Sequence, residues 1–373
     1  MKLRQIDTTN PSDRKKFIDL PFHLYKKNTC WVPPLASELP LVLNRNRHPF
    51  YQHSEADFFV VEDDREVIGR IAALHNRNYS EFHHSPTGFF YYFECVDDAQ
   101  AAGMLFDAAT EWCRRHGVQS ILGPKGFLRS NGLGLLVEGF DLLPAVGIAY
   151  NFPYYEAFIL NAGFQKETDH LSGFMTDEIH LPDKVYAIAE KVKERGKFWV
   201  KNFKDRSEMR SFIPLVNSVH HEAFYRNPGY YPTTDAEFKL LADSIISIAQ
   251  PDTIKVIMHE NEVAGFILSY PNISRALQKT GGRLWPFGWI TIKNAMRTSR
   301  IFDLNGVGIL PKYQGMGANA ILYTELDKLF RANHAERAEI IQVDERNFMS
   351  KSDMENMAVQ WNKRHRSYRL HLS

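Results

Sequence analysis

Cysteine is scarce in this chain: three residues in 373, at Cys30, Cys95 and Cys113. They form no CxxC pair and no metal-ligand spacing, which argues against a zinc site or a disulfide scaffold and suits a reducing compartment. All three are expected as buried or half-buried free thiols. A charge excess is also lacking, with Lys plus Arg at 45, Asp plus Glu at 44 and a formal net charge of +1. Nucleic-acid binders usually carry a clear basic surplus, so no nucleic-acid partner is expected. No uncharged apolar run approaches the ~20 residues needed to span a bilayer. Residues 1–7 carry no apolar signal region. No membrane partner and a cytoplasmic location are therefore expected. The adjacent pairs His83-His84 and His220-His221 would point to opposite faces of a strand, so no metal is expected there either.

Aromatic residues are plentiful, at 13% of the chain with 26 Phe and 16 Tyr. A chain of this length suggests two domains, each with material for its own core. A repeat supports that division. Residues 58–61 read as an apolar strand, 62–65 as a polar turn and 66–71 as a second strand around Gly69. The pattern recurs at 254–258, 259–261 and 262–267 around Gly265, an offset of 196. Upstream, strand 2–6 with the helix through Phe17 recurs as strand 198–203 with the helix through Phe212, an offset of 195. Internal repeats at a fixed offset are the signature of a duplicated unit.

Each half then continues as strand, helix, strand: 88–95, 99–116 and 120–122 in the first, 301–310, 314–333 and 339–343 in the second. Gly117 suits the end of the first of these helices. The expectation is an α/β fold with a mixed sheet in each half and helices on both faces. Expected boundaries are 1–175 for the first domain, 176–196 for a connecting segment with a polar helix from Asp183, and 197–373 for the second.

The sharpest local signal is the run from Val307 to Asn319. An apolar strand ends at Pro311, a turn with Gly315 and Gly317 follows, and a helix opens with Leu322, Leu326 and Leu329 on one face. A glycine turn opening a helix offers free backbone N–H groups at the positive end of the helix dipole, which suits a pyrophosphate. The spacing is not that of a dinucleotide fold, and the Lys-Ser/Thr ending of a P-loop is missing.

The segment resembles the R/Q-x-x-G-x-G/A motif of the GNAT N-acetyltransferase superfamily. Gln314 matches its first position and Gly317 its fourth, while Asn319 departs at the sixth, where Gly or Ala is usual. The resemblance implies two tandem GNAT-like acyl-CoA N-acyltransferase domains. It implies that Val307, Ile309 and Leu310 line the pantetheine arm of acetyl-CoA or another acyl-CoA. Gln314, Gly315, Met316, Gly317, Ala318 and Asn319 would then cradle its diphosphate. Glu345-Arg346-Asn347 matches the segment after the fifth strand, which would put Asn347 near the cofactor amide or thiol. Asp303, on the strand leading to the turn, becomes the candidate base. The superfamily's usual acid position holds Met354 here, and Tyr368 is the candidate substitute if the chain folds back. No metal is implied.

The first half departs further. Asp97-Asp98 replaces its glycine turn, and two carboxylates at a helix N-terminus repel phosphate. A degenerate first site and one acyl-CoA site per chain are therefore expected. The Gly- and aromatic-rich stretch 123–155 reads as an acceptor pocket, a lid or a packing loop. The blocks from Gly123 to Tyr155, Gly282 to Pro286 and Glu345 to Tyr368 are similar, together, to those of a bacterial family of tandem GNAT-like proteins. The expected function is acyl transfer to a small amine-bearing molecule. The alternative is a non-catalytic CoA- or ligand-binding protein, since Met354 and Asn319 depart from the pattern. The aromatic insertion 285–289 is expected to be buried, the alternative being an exposed aromatic patch for a membrane or acyl chain. Lys363-Arg364-His365-Arg366 is expected to be a solvated run, the alternative being a role near the adenosine phosphate.

Overall fold

The computed structural model describes residues 1–129, 131–176 and 181–372. The expected connecting segment therefore lies partly outside the described residues, at 177–180, as does Ser130 of the glycine-rich stretch. The strands are β1 (Lys2–Gln5), β2 (Glu55–Asp63), β3 (Glu66–His75), β4 (Thr87–Cys95), β5 (Ser120–Gly123), β6 (Leu135–Glu138) and β7 (Gln165–Thr176). They continue with β8 (Phe198–Lys201), β9 (Ile254–His259), β10 (Glu262–Pro271), β11 (Ile301–Ile309), β12 (Arg337–Asp344) and β13 (Gln360–His371).

The chain forms two compact units that are not contiguous stretches of sequence. The first takes Met1–Leu171, Ser274–Trp289 and the C-terminal stretch from Lys363; the second takes Ser172–Ile273 and Ile290–Asn362. In the first unit the strands run in the order β1-β2-β3-β4-β5-β13-β7, with β6 also on β13. The pairs β1–β2, β2–β3, β3–β4, β5–β13 and β6–β13 are antiparallel, and β4 with β5 is parallel. In the second unit the order is β12-β11-β10-β9-β8, with β11 parallel to β12 and the other pairs antiparallel. A mixed sheet is thus found in each unit.

Local chemistry explains where the helices begin. The helix Pro11–Leu24 follows Asn10, whose side chain accepts from Ser12 and Asp13 N–H, with Pro11 in the first turn where no donor is needed. The helix Asp235–Ile248 opens with a capping box between Thr234 and Glu237. In the first unit, the helix Ala99–Arg115 buries Leu105, Phe106, Trp112 and Cys113 against β2 and β3 residues such as Phe59 and Ile71. In the second, the helix Ala318–Ala332 buries Ile321, Leu322, Leu326 and Leu329 against Ile257, Ala264 and Ile267. Each such side chain contributes roughly 1.5–3 kcal/mol on burial. Cys95 and Cys113 are buried free thiols and Cys30 is half-buried.

Two sequence expectations are corrected. The insertion 285–289 is not buried: Trp285 is 80% exposed and Phe287 72%. The run 363–366 is not a solvated tail. It lies on β13, where Lys363 and His365 are buried and Arg364 and Arg366 pair with the fully buried Asp169.

Candidate active site

In the second unit, β11 holds two neighbours for only part of its length. It pairs with β12 from Ile301 opposite Arg337 to Leu304 opposite Ile340. Beyond Leu304 it continues to Ile309 with β10 alone, Gly265 lying opposite Ile309. Gly306, at φ 128°, sits where the register with β10 shifts between Ile267 and Ser269. A φ of that sign is open to glycine and costly for other residues. The divergence leaves one edge of β11 without a partner strand beyond Leu304.

The strand ends at the glycine turn. Leu310 is buried, and its N–H donates to Ala264 O at 2.9 Å. A short 3-10 turn, Pro311–Tyr313, is tied to the β9–β10 hairpin by Lys312 and Tyr313, which reach Glu262 at 2.7 and 2.6 Å. These bonds to Lys312 and Tyr313 hold the Glu262 carboxyl below its ordinary range. Gln314 Nε2 donates to Ile309 O at 3.1 Å. Gly315 and Gly317 have φ 73° and 85°. A Cβ on Gly315 would meet open space, whereas one on Gly317 would fall 2.7 Å from Val192 Cγ2 and 3.0 Å from Ile188 Cγ2. Gly317 is the N-cap of the helix Ala318–Ala332, and no side chain caps that end. The first-turn N–H groups therefore lack an intrahelical partner and present positive charge to an anion. Asn319 stands in this turn, half-exposed.

The corresponding place in the first unit is closed. There β4 pairs with β5 from Thr87 to Phe89 only, then continues to Cys95. Tyr92, at φ 51°, marks a shift of register with β3. The free edge is filled by the protein itself. Lys125 N–H donates to Phe90 O at 3.0 Å. Tyr155 OH accepts from Cys95 N–H at 3.0 Å, and Tyr154 OH donates to Cys95 O at 3.0 Å. Tyr155 OH also donates to Glu94 at 2.9 Å, alongside Tyr25 at 2.6 Å. Burial raises the Glu94 carboxyl above its usual range, against the pull of Arg70 and the two phenols. The following helix is capped by Asp98, which accepts from Ala101 N–H at 2.9 Å. A carboxylate thus occupies the position that Gly317 leaves open. Nothing in the sequence stated that Tyr154 and Tyr155 reach β4, although their place after the glycine-rich stretch was the available signal.

The remaining candidates separate. Asp303 is fully buried on β11 in the second unit, where Asn272 Nδ2 donates to it at 2.8 Å. Beside it, Asn305 Nδ2 donates to Tyr270 OH at 2.9 Å. Burial and the Asp303 charge push the Tyr270 phenol well above its ordinary value. Sequence reasoning missed Tyr270, Asn272 and Asn305. Tyr368 lies in the first unit on β13, fully buried, its hydroxyl donating to Glu156 at 2.6 Å. Asn347 caps the helix Phe348–Asn356, accepting from Ser350 N–H at 3.2 Å. Met354 is buried in a small apolar cluster with Ile340 and Val359. An aromatic wall adjoins the free strand: a Cβ on Gly308 would fall 2.9 Å from Phe224 Cε2, and His220 stacks with Phe266 and lies against Phe224 and Phe238. No cluster of three or more metal-ligating side chains is present among the described residues. No helix among them is long and apolar enough to cross a membrane.

A parallel strand pair that diverges partway along occurs once in each half, and only in the second does it run into a glycine turn and an uncapped helix; with the likeness below this defines a tandem GNAT-type fold. Its whole length superposes on a tandem GNAT protein from the clavulanic acid biosynthesis pathway, with TM-score 0.57 over 99% of this chain and 98% of that one at 11% identity. Among curated sequences, the chain is 27% identical over 372 residues to Protein YghO of Escherichia coli K12, covering 96% of this chain and 93% of that protein. It is 29% identical over 295 residues to the bacterial ceramide synthase of Caulobacter vibrioides, covering 77% and 74% of the two chains. No protein-family model matches the chain.

Proposed function

We propose that the protein is an acyl-CoA-dependent N-acyltransferase with one acyl-CoA site, in the portion 197–373. The observation that carries this reading is the free edge of β11 running from Asn305 to Ile309 into the uncapped turn at Gly317. Backbone groups of Val307 and Ile309 suit the amides of a pantetheine arm. The turn from Gln314 to Asn319 suits a diphosphate, and a Cβ on Gly317 has no room to intrude. The thioester of the bound acyl-CoA supplies the activated acyl group. This chain's contribution is to hold that thioester beside an amine and to keep the amine neutral. Asp303 is the proposed proton acceptor, steadied by Asn272. The reading assigns no acid role to Tyr368, whose proton is held on Glu156. A thiol with pKa near ~8.5 leaves without much help.

Acetyl-CoA and a compact amine are the simplest substrates. The aromatic wall of His220, Phe224 and Phe238 favours a second version, an amine or acyl group carried on an apolar chain. The likeness to a bacterial ceramide synthase supports that version. Calorimetry with acetyl-CoA and a long-chain acyl-CoA should give one site per chain, and two sites per chain would refute the asymmetric reading. Thiol release, followed over short polyamines and long-chain amines, then separates catalysis from binding without turnover.

A further inference from the structure

The segment 281–289 is an interruption in the fold whose stems are fixed and whose tip is bare. Ala36 N–H donates to Gly282 O at 2.9 Å, and a Cβ on Gly282 would fall 2.0 Å from Pro34 O. Gly288 is as tightly held, its Cβ position lying 1.8 Å from Arg283 O, and Trp289 N–H donates to Leu284 O at 2.8 Å. The helix Ser274–Thr280 that leads into the segment is anchored too. Ser274 Oγ donates to Pro144 O, and Gln278 Nε2 donates to the carbonyls of Thr29 and Trp31, all at 2.9 Å. On this base Leu284, Trp285, Phe287 and Trp289 are all exposed. Water-facing aromatics in such a group are costly unless something else covers them.

Charge says what covers them. Between Glu262 and Asp303 the sequence contains no acidic residue, while it contains Arg275, Lys279, Arg283, Lys293, Arg297 and Arg300. All six are exposed. Among the described residues only Arg300 of this set forms an ion pair, with Glu336. Arg275, Lys279 and Arg283 therefore accompany the aromatic tip with their charges uncompensated. Aromatic side chains at the tip with unpaired cations around them suit the boundary of an anionic bilayer. Trp and Phe occupy the headgroup–acyl interface there, and Lys and Arg meet the surface charge.

We infer that this segment docks the protein on the surface of an anionic lipid bilayer, through Trp285 and Phe287 as interfacial anchors and Arg275, Lys279 and Arg283 as charge contacts. The sequence alone favoured no membrane partner because no apolar run is long enough to span a bilayer, a criterion that does not bear on docking at its surface. The site is distinct from the acyl-CoA turn, and its test needs no acyl transfer. The full chain is sedimented with phosphatidylcholine vesicles, with and without phosphatidylglycerol. Binding to the anionic vesicles is expected to exceed that to neutral ones by at least about tenfold at low salt and to weaken as salt screens the surface. Trp285→Ser with Phe287→Ser should lower it by at least about tenfold, and Lys279→Glu with Arg283→Glu by a similar factor. All four side chains are exposed, so both variants should melt with the wild type. Equal binding by wild type and variants would overturn the inference, as would absence of vesicle binding. A lipid-free wild type that is dimeric while the aromatic variant is monomeric would assign the tip to a second copy instead.

Discussion

Asn319→Asp isolates the electrostatics of the glycine turn from its shape. The two side chains are nearly isosteric, and Asn319 stands in the first turn of an uncapped helix. A carboxylate there should stabilise the free protein, since an acidic group near a helix N-terminus is worth about 0.3–1 kcal/mol. The same charge opposes a bound diphosphate. Two unit charges ~6 Å apart at an effective dielectric of ~40 repel by about 1.4 kcal/mol, and a diphosphate carries more than one charge, so a loss of about 2 kcal/mol is reasonable. That corresponds to roughly 30-fold weaker binding of coenzyme A. Calorimetry should show this loss while thermal unfolding shows an unchanged or higher midpoint. The penalty should shrink as salt rises, because an exposed pair is screened. Asn319→Ala, which restores the small residue usual at this place, should bind at least as well as the wild type. A change below about threefold in Asn319→Asp, with normal folding, would refute the placement of the diphosphate at this turn.

Gly317→Ala should cost about 2 kcal/mol of stability from its left-handed backbone, with more from the contact at Val192, whereas Gly315→Ala faces open space and should cost less in the same denaturant titration. Asp169→Asn should destabilise by about 3 kcal/mol, because Asp169 is fully buried and Arg364 and Arg366 would lose their shared carboxylate. His365 is fully buried, which lowers its pKa to about 4 from an ordinary 6.5. The unfolded chain then binds a proton that the folded one refuses, so His365 should make stability fall from pH 6.5 down to about 4 and level off below, by about 3 kcal/mol at most. His365→Gln should remove that part of the slope. Asp303→Asn should slow acyl transfer by roughly 10²-fold or more with little change in coenzyme A affinity, once an acceptor is known.

The parts legible in the sequence were those written in local pattern. The hairpins around Gly69 and Gly265 announced themselves by alternating apolar runs, and the structure pairs them as β2–β3 and β9–β10. The glycine turn was legible because left-handed φ values at Gly315 and Gly317 demand glycine. Long-range facts were not. That Tyr155 reaches Cys95, or that Tyr368 donates to Glu156, depends on tertiary approach across 60 and 212 residues. Lys363-Arg364-His365-Arg366 looked solvated because a charged run normally is. It is accommodated by partners 195 to 220 residues earlier: Asp169 for Arg364 and Arg366, Leu143 O for Lys363 and Ala149 O for His365. Trp285 and Phe287 looked like core because aromatic residues usually are.

The position of β13 sets the order of events in making this protein. It lies between β5 and β7, so the interior of the first sheet waits for Gln360–His371, made long after β7. On a ribosome adding ~5–20 residues per second, β7 emerges roughly 10 to 40 seconds before its neighbour exists. Throughout that interval β5 and β7 expose strand edges able to pair with other nascent chains. The N-terminal stretch alone therefore lacks an interior strand of its own sheet. A stop codon before Lys363 would spare the more distal unit and undo the one synthesised first.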